Sequence, residues 1–169
     1  MKHRGFTLPE MLIVLAVIAT LAGIGIPVGR SVIGKSRQAA CLGQLRSLGT
    51  ALEGYLQEHN QTMPDLVMMR ASKTDDAKVL ETVLLPYVDG PQAFRCPQDR
   101  KEFDKSGSSY LWNPTQSELP VSRLEFFGIE SRPDKIPLIV DKAPWHPGGV
   151  NYLYADQSSS NKPRFATSN

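Results

Sequence analysis

Cysteine is nearly missing from this chain: only Cys41 and Cys96 occur in 169 residues, with three histidines. The two stand far apart in sequence, whereas a structural zinc site normally draws on four Cys or His ligands that include a closely spaced pair, so a zinc finger or ribbon is not indicated. An excess of one charge is missing as well. The formal charge is +2, and with Lys2 and Arg4 set aside the remaining 17 Lys and Arg face 17 Asp and Glu, which leaves no electrostatic basis for nucleic acid as a partner. No internal repeat or low-complexity tract is present. What remains is a chain about the size of one domain, with the 41% hydrophobic content of a foldable protein.

Charge is wholly absent from Met11 to Gly29. As a helix this run measures roughly 28 Å, close to the hydrocarbon thickness of a bilayer, and predicts one membrane span. Lys2, His3 and Arg4 stand before it, so the positive-inside tendency keeps the N-terminus cytoplasmic and sends the remainder outward. A cleavable signal peptide is the alternative, but LAGIGIPVGR is only a loose version of its cleavage site. Nor does a signal peptide account for Glu10, whose carboxylate is costly at membrane depth unless something pairs with it or it snorkels to the interface. Gly23, Gly25, Pro27 and Gly29 crowd the far end of the run, where lost hydrogen bonds and glycine freedom predict a kink or local melting.

The stretch GFTLPEMLIVLAVIATLAGIGIP, with Gly5, Phe6, Thr7, Leu8, Glu10, the apolar run and Pro27, resembles the N-terminus of type IV prepilins and type II secretion pseudopilins. The resemblance implies cleavage between Gly5 and Phe6 by a prepilin peptidase and N-methylation of Phe6. It also implies an assembly role for Phe6, Glu10 and Pro27: in such filaments the Glu10 carboxylate would lie near the Phe6 amine of a neighbouring copy, and the helix would bend or unwind near Pro27. Further landmarks, CLGQLRSLGTALEGYLQEHNQTMP, LLPYVDG, FRCPQD, SYLWN and a His nine residues before an Asp, resemble a branch abundant in planctomycetes and verrucomicrobia. In that branch the last motif ends in Asp-Gly; here His146 and Asp156 keep the spacing while Gln157 replaces the glycine, which weakens the expected terminal hairpin.

Beyond Arg30 the pattern turns amphipathic. Cys41, Leu45, Leu48, Leu52, Tyr55 and Leu56 recur at helical spacing, predicting a spine helix with one buried stripe. If continuous with the apolar run, one helix from Phe6 to about His59 is roughly 80 Å long. Ser72 and Asp75 then mark the start of a short second helix carrying Ala77, Leu80, Leu84, Tyr87 and Val88. SYLW (109–112), LEFFGI (124–129), IPLIVD (136–141) and NYLYAD (151–156) read as strands of a small antiparallel sheet, and the tail from Ser158 reads as frayed. The expected class is α+β and pilin-like, a long N-terminal helix packed against that sheet. Its organisation is a leader over residues 1–5, a membrane or filament-core helix over 6–29, a spine over 30–59 and a periplasmic head over 60–169.

An exported chain meets an oxidising space, so a disulfide between Cys41 and Cys96 is the preferred reading, closing a loop of about 56 residues and contributing roughly 4 kcal/mol in the chain-entropy model. Two buried free thiols or metal ligation are the alternatives. His146 lies between Asp141 and Asp156. No nucleophile motif or phosphate loop accompanies it, so His146, like Asp156, reads as structural, the histidine capping or bridging a turn through a carboxylate or a backbone carbonyl rather than serving as a catalytic group. Major pseudopilins of type II secretion bind calcium, and Asp141 and Asp156 are weak candidates, but calcium takes six to eight oxygens and DQSSSN is not a recognisable ligand loop. No cofactor is otherwise expected. Tyr110, Trp112, Trp145, Tyr152 and Tyr154 read as sheet packing, with a ligand-binding strip as the alternative.

The expected function is therefore non-enzymatic: a structural subunit of a type II secretion pseudopilus or type IV pilus-like filament. Its partners would be copies of itself, other pseudopilins, the prepilin peptidase and an inner-membrane assembly platform. It would sit in the inner membrane as a single-pass protein with the head in the periplasm. The alternative is a membrane-anchored periplasmic binding module that uses the prepilin signal only for insertion.

Overall fold

The computed structural model describes residues 7–166, apart from the side chains at 25, 27, 30 and 166. Gly5 and Phe6 lie outside the described residues, as does the Pro27 side chain. Helix α1 runs unbroken over Leu8–Glu58. The local melting expected around Pro27 is therefore not seen: a proline deletes one hydrogen bond of the ladder, and the neighbouring bonds suffice to carry the helix past it. The chain divides into two compact units between Ser36 and Arg37.

In the first unit α1 has no buried stripe. Leu12, Ile13, Leu15, Val17, Ile18, Leu21, Ile24 and Ile26 are all exposed, on every side of the helix. Among the described residues no helix is long and apolar enough to cross a membrane. The unbroken series of described side chains from Leu8 to Ile24 is about 17 residues, or roughly 26 Å of helix.

In the second unit the same helix carries the stripe that its spacing predicts. Cys41, Leu45, Leu48, Leu52 and Leu56 are buried against Phe94, Cys96, Tyr110, Trp112, Leu138, Ile139 and Leu153. The helix stops where Asn60 and Gln61 enter the left-handed region, at φ 53° and 56°, and the Gln61 N–H donates back to the Leu56 carbonyl at 2.9 Å.

Strands β1 (Tyr110–Trp112), β4 (Pro137–Asp141), β5 (Tyr152–Tyr154) and β6 (Ser159–Ser160) form an antiparallel sheet in the order β1-β4-β5-β6. Tyr110 pairs with Asp141 and Ile139 with Leu153, so β4 is an interior strand, and Leu138 and Ile139 are both buried. LEFFGI does not join this sheet. It splits into β2 (Glu125–Phe126) and β3 (Ile129–Glu130), a separate hairpin turned by Phe127 and Gly128 at φ 49° and 78°.

Two further expectations change. The second helix shrinks to α2 (Leu80–Val83), followed by a 3-10 turn over Leu85–Tyr87, because Pro86 cannot continue an α ladder. Asp75 does not start it; its Oδ2 accepts the N–H groups of Ala71 and Ser72 at 3.0 and 2.8 Å in a loop upstream. A third helix, α3 (Glu102–Ser106), lies between the two segments that hold Cys96 and β1.

As far as Ala166 the tail is not frayed either. Strand β6 pairs with β5, the Ser159 hydroxyl donates to the Leu42 carbonyl at 3.0 Å, and the Tyr154 hydroxyl donates to the Lys162 carbonyl while accepting the Arg164 N–H, both at 2.9 Å. The β5–β6 turn forms without its glycine: Gln157 takes the left-handed conformation at φ 66°, and its side-chain carbonyl is buried with no hydrogen-bond partner. Gln157→Gly relieves both costs. Its expected effect is a gain of about 1 kcal/mol, read as a higher thermal midpoint by tryptophan fluorescence.

Candidate functional site

Two clusters hold the residues singled out by the sequence. At the N-terminus, the Glu10 carboxylate accepts both the backbone N–H and the hydroxyl of Thr7, at 2.8 and 2.7 Å. Thr7-Leu8-Pro9-Glu10 is thus half of a capping box: the N3 glutamate satisfies the N-cap amide, and Pro9 sits in the first turn, where an amide hydrogen has no helical partner. Within the single chain Thr7 therefore serves as the partner of Glu10. The S/T-x-x-E signature was the signal that could have revealed it.

The second cluster lies in the head. Cys41 faces inward from α1, and Cys96 sits in the loop before α3, with a disulfide joining them and their Cα atoms 5.2 Å apart. Ser109 fixes that loop: its Oγ accepts the Cys96 N–H at 2.9 Å and donates to Asp99 at 2.6 Å. Asp99 also accepts the N–H groups of Lys101, Glu102 and Phe103 at 2.7–2.8 Å. Burial pushes the Asp99 carboxyl up, but these four donors outweigh it and hold the group below its ordinary value.

Asp141 ends β4 and His146 follows in the next loop; neither side chain has exposed surface. His146 Nε2 lies 3.3 Å from Asp141 Oδ2 and 3.4 Å from Cys96 Sγ. Asp141 Oδ2 also accepts the Asn151 N–H at 2.7 Å. The loop is shaped by a tight turn in which the Gly149 N–H donates to the His146 carbonyl at 2.9 Å, with Gly149 at φ 92°. Burial pushes the Asp141 carboxyl up to about 7, against the pull of the Asn151 N–H, and pushes the His146 imidazole down. Asp141 Oδ1, His146 Nδ1, Asn151 Nδ2 and the Tyr110 hydroxyl are buried and make no hydrogen bond.

The carboxylate beside His146 is thus that of Asp141. Asp156 instead accepts from the Ser158 backbone N–H at 2.9 Å and its hydroxyl at 2.5 Å, and stands 3.8 Å from Arg164. The two carboxylates weighed for calcium thus engage different partners on different segments. Tyr110, Trp112 and Tyr154, proposed alternatively as a ligand strip, are buried in the core or against it. The feature that sequence reasoning missed is the meeting of the disulfide with the Asp141–His146 pair, which only the strand order brings about.

Comparison with known proteins bears on the N-terminus. The family described as the prokaryotic N-terminal methylation motif matches residues 1–26. Fimbrial protein Q of Moraxella bovis is 40% identical over 56 residues, covering 33% of this chain and 36% of that protein, so the match spans about a third of the relative's length. No solved structure matches. The methylation-motif match, confined to residues 1–26, and the fimbrial match together show similarity to type IV prepilins over the part of the chain they cover.

Proposed function

We propose that the chain is a structural subunit of a type II secretion pseudopilus or type IV pilus-like filament, cut between Gly5 and Phe6 by a prepilin peptidase and N-methylated at Phe6. Before assembly it is held in the inner membrane by the uncharged run from Met11 to Gly29, with the head in the periplasm. The observation that carries this reading is the first unit's helix, apolar on every side. A helix that is hydrophobic all round belongs in lipid or in the core of a bundle, and a filament built on such helices supplies the second environment as the first is left. An assembly platform, other pseudopilins and further copies of the chain are the partners this implies.

Glu10 is the point at which the reading can be tested. In the single chain Thr7 satisfies the carboxylate; in the filament the Phe6 amine of a neighbour takes that place, so two charges that are each costly in an apolar bundle stabilise one another. Glu10→Ala is expected to leave the protein inserted and its head folded, and to reduce the sheared filament fraction at least tenfold. Intact mass spectrometry of the membrane-extracted chain reads the processing step, with a methylated chain beginning at Phe6 expected. Wild-type filament yield from the Glu10→Ala variant would remove the role of Glu10, and a chain starting near Ser31 would remove the filament reading altogether.

A further inference from the structure

We propose that, with the disulfide open, Cys41, Cys96, His146 and Asp141 form a tetrahedral binding site for a zinc ion. This inference does not depend on the filament reading. Zinc takes thiolate sulfur at about 2.3 Å and imidazole nitrogen or carboxylate oxygen at about 2.0–2.1 Å. A tetrahedron of those bonds has a nitrogen–oxygen edge of about 3.3 Å and a sulfur–nitrogen edge of about 3.6 Å. In the head the His146 Nε2 to Asp141 Oδ2 distance is 3.3 Å and the His146 Nε2 to Cys96 Sγ distance is 3.4 Å. Both sulfurs and an imidazole nitrogen lie within 4.8 Å of one another, and all three residues are buried. Two edges of the site are already set; the sulfurs must separate to about 3.8 Å, the edge expected between two zinc-bound thiolates, and Asp141, which is not within 4.8 Å of all three other donors, must turn its carboxylate toward them.

The surroundings fit such a site. The four donors come from α1, the loop before α3, the end of β4 and the loop after it, and the fold brings these segments together around His146. Asn151 holds Asp141 Oδ2 through its N–H, and Ser109 holds the Cys96 backbone, which are the supports from outside the ligand set that metal ligands normally have. A purely structural imidazole–carboxylate pair does not need to sit against a disulfide, and Asp141 Oδ1 and His146 Nδ1 are left without hydrogen bonds there.

The balance of the exchange is simple. A dithiol reductant supplies two electrons and two protons to the Cys41–Cys96 bond and itself becomes a disulfide. Zinc then binds the two thiolates, the imidazole lone pair on Nε2 and the carboxylate; two thiol protons, and the carboxyl proton of Asp141 where it is present, leave to solvent. Disulfide and metal are thus mutually exclusive occupants of one site.

The test uses the full chain in detergent, reduced with a phosphine under argon and titrated with Co2+ as the probe. The expected result is a thiolate-to-cobalt charge-transfer band with intense tetrahedral visible bands, saturating at one Co2+ per chain and displaced by Zn2+. The unreduced chain shows neither. Cys96→Ser abolishes the band, and His146→Gln and Asp141→Asn each weaken cobalt binding at least tenfold while tryptophan fluorescence reports an intact head. Absence of the band in the reduced wild type, or an unchanged affinity in both His146→Gln and Asp141→Asn, overturns the proposal. Should reduction unfold the head, the same chain is refolded from denaturant with and without Zn2+, and no rise in thermal midpoint with the metal counts equally against it.

Discussion

Reducing the Cys41–Cys96 bond, or replacing both cysteines by serine, is expected to lower the stability of the head by roughly 4 kcal/mol. The bond joins residues 55 apart in sequence, so breaking it returns the entropy of a long loop to the unfolded chain. Both sulfurs are fully buried in the main core, so the folded state gains no solvation in exchange. Trp112, itself buried, reports unfolding of this unit. With a urea slope of about 2 kcal/mol/M the midpoint of the full chain in detergent drops by about 2 M. An unchanged midpoint on reduction means that the bond is not formed in the protein as isolated. The metal site adds a second arm, since Zn2+ given to the reduced wild type raises the midpoint again and leaves the double serine variant where it was.

The second large effect is a pair of opposite pH slopes, visible only when the Asp141–His146 pair is broken, with the disulfide closed. Asp141 titrates near 7 in the folded head and near 4 when unfolded, so the folded state holds an extra proton between those values and loses stability as pH rises through them. His146 is pushed down by burial, so the unfolded state holds the extra proton below about 6.5, and stability falls as pH falls. In the wild type the two slopes oppose each other wherever both groups titrate. His146→Gln leaves Asp141 alone, and stability should then decline with rising pH between its unfolded and folded values, at up to about 1.4 kcal/mol per unit. Asp141→Asn leaves His146 alone, and the slope reverses sign. Urea midpoints at three pH values decide the matter. Parallel slopes in the two variants would falsify the coupling.

The N-terminal helix and the buried stripe were legible because their signals are periodic and local: Cys41, Leu45, Leu48, Leu52 and Leu56 define a face with no knowledge of what covers it. Three of the four strand segments were legible from their β-branched and aromatic residues. The second helix was overread, since Leu80, Leu84, Tyr87 and Val88 keep helical spacing across Pro86, and the pattern outweighed the break. Strand β6 was missed for the opposite reason, because Ser159 and Ser160 carry no hydrophobic signal and are held by pairing to Tyr152 and Leu153. At the buried cluster, sequence named every member but left open which carboxylate meets His146. Asp141 and Asp156 are both within reach of His146 along the chain, and only the exit of β4 beside the Cys96 loop distinguishes them.

The way the C-terminal segment closes the head sets an order on its making. Asn151, Leu153, Tyr154 and Ser159 are all buried, and they hold Asp141, the interior strand β4 and the Leu42 carbonyl of the helix. A chain synthesised from its N-terminus therefore has its cysteines in hand well before it has a finished sheet. Until β5 and β6 are in place, β4 presents an unpaired edge and the spine lacks part of its cover, and a product that stops short of β5 keeps that edge for good.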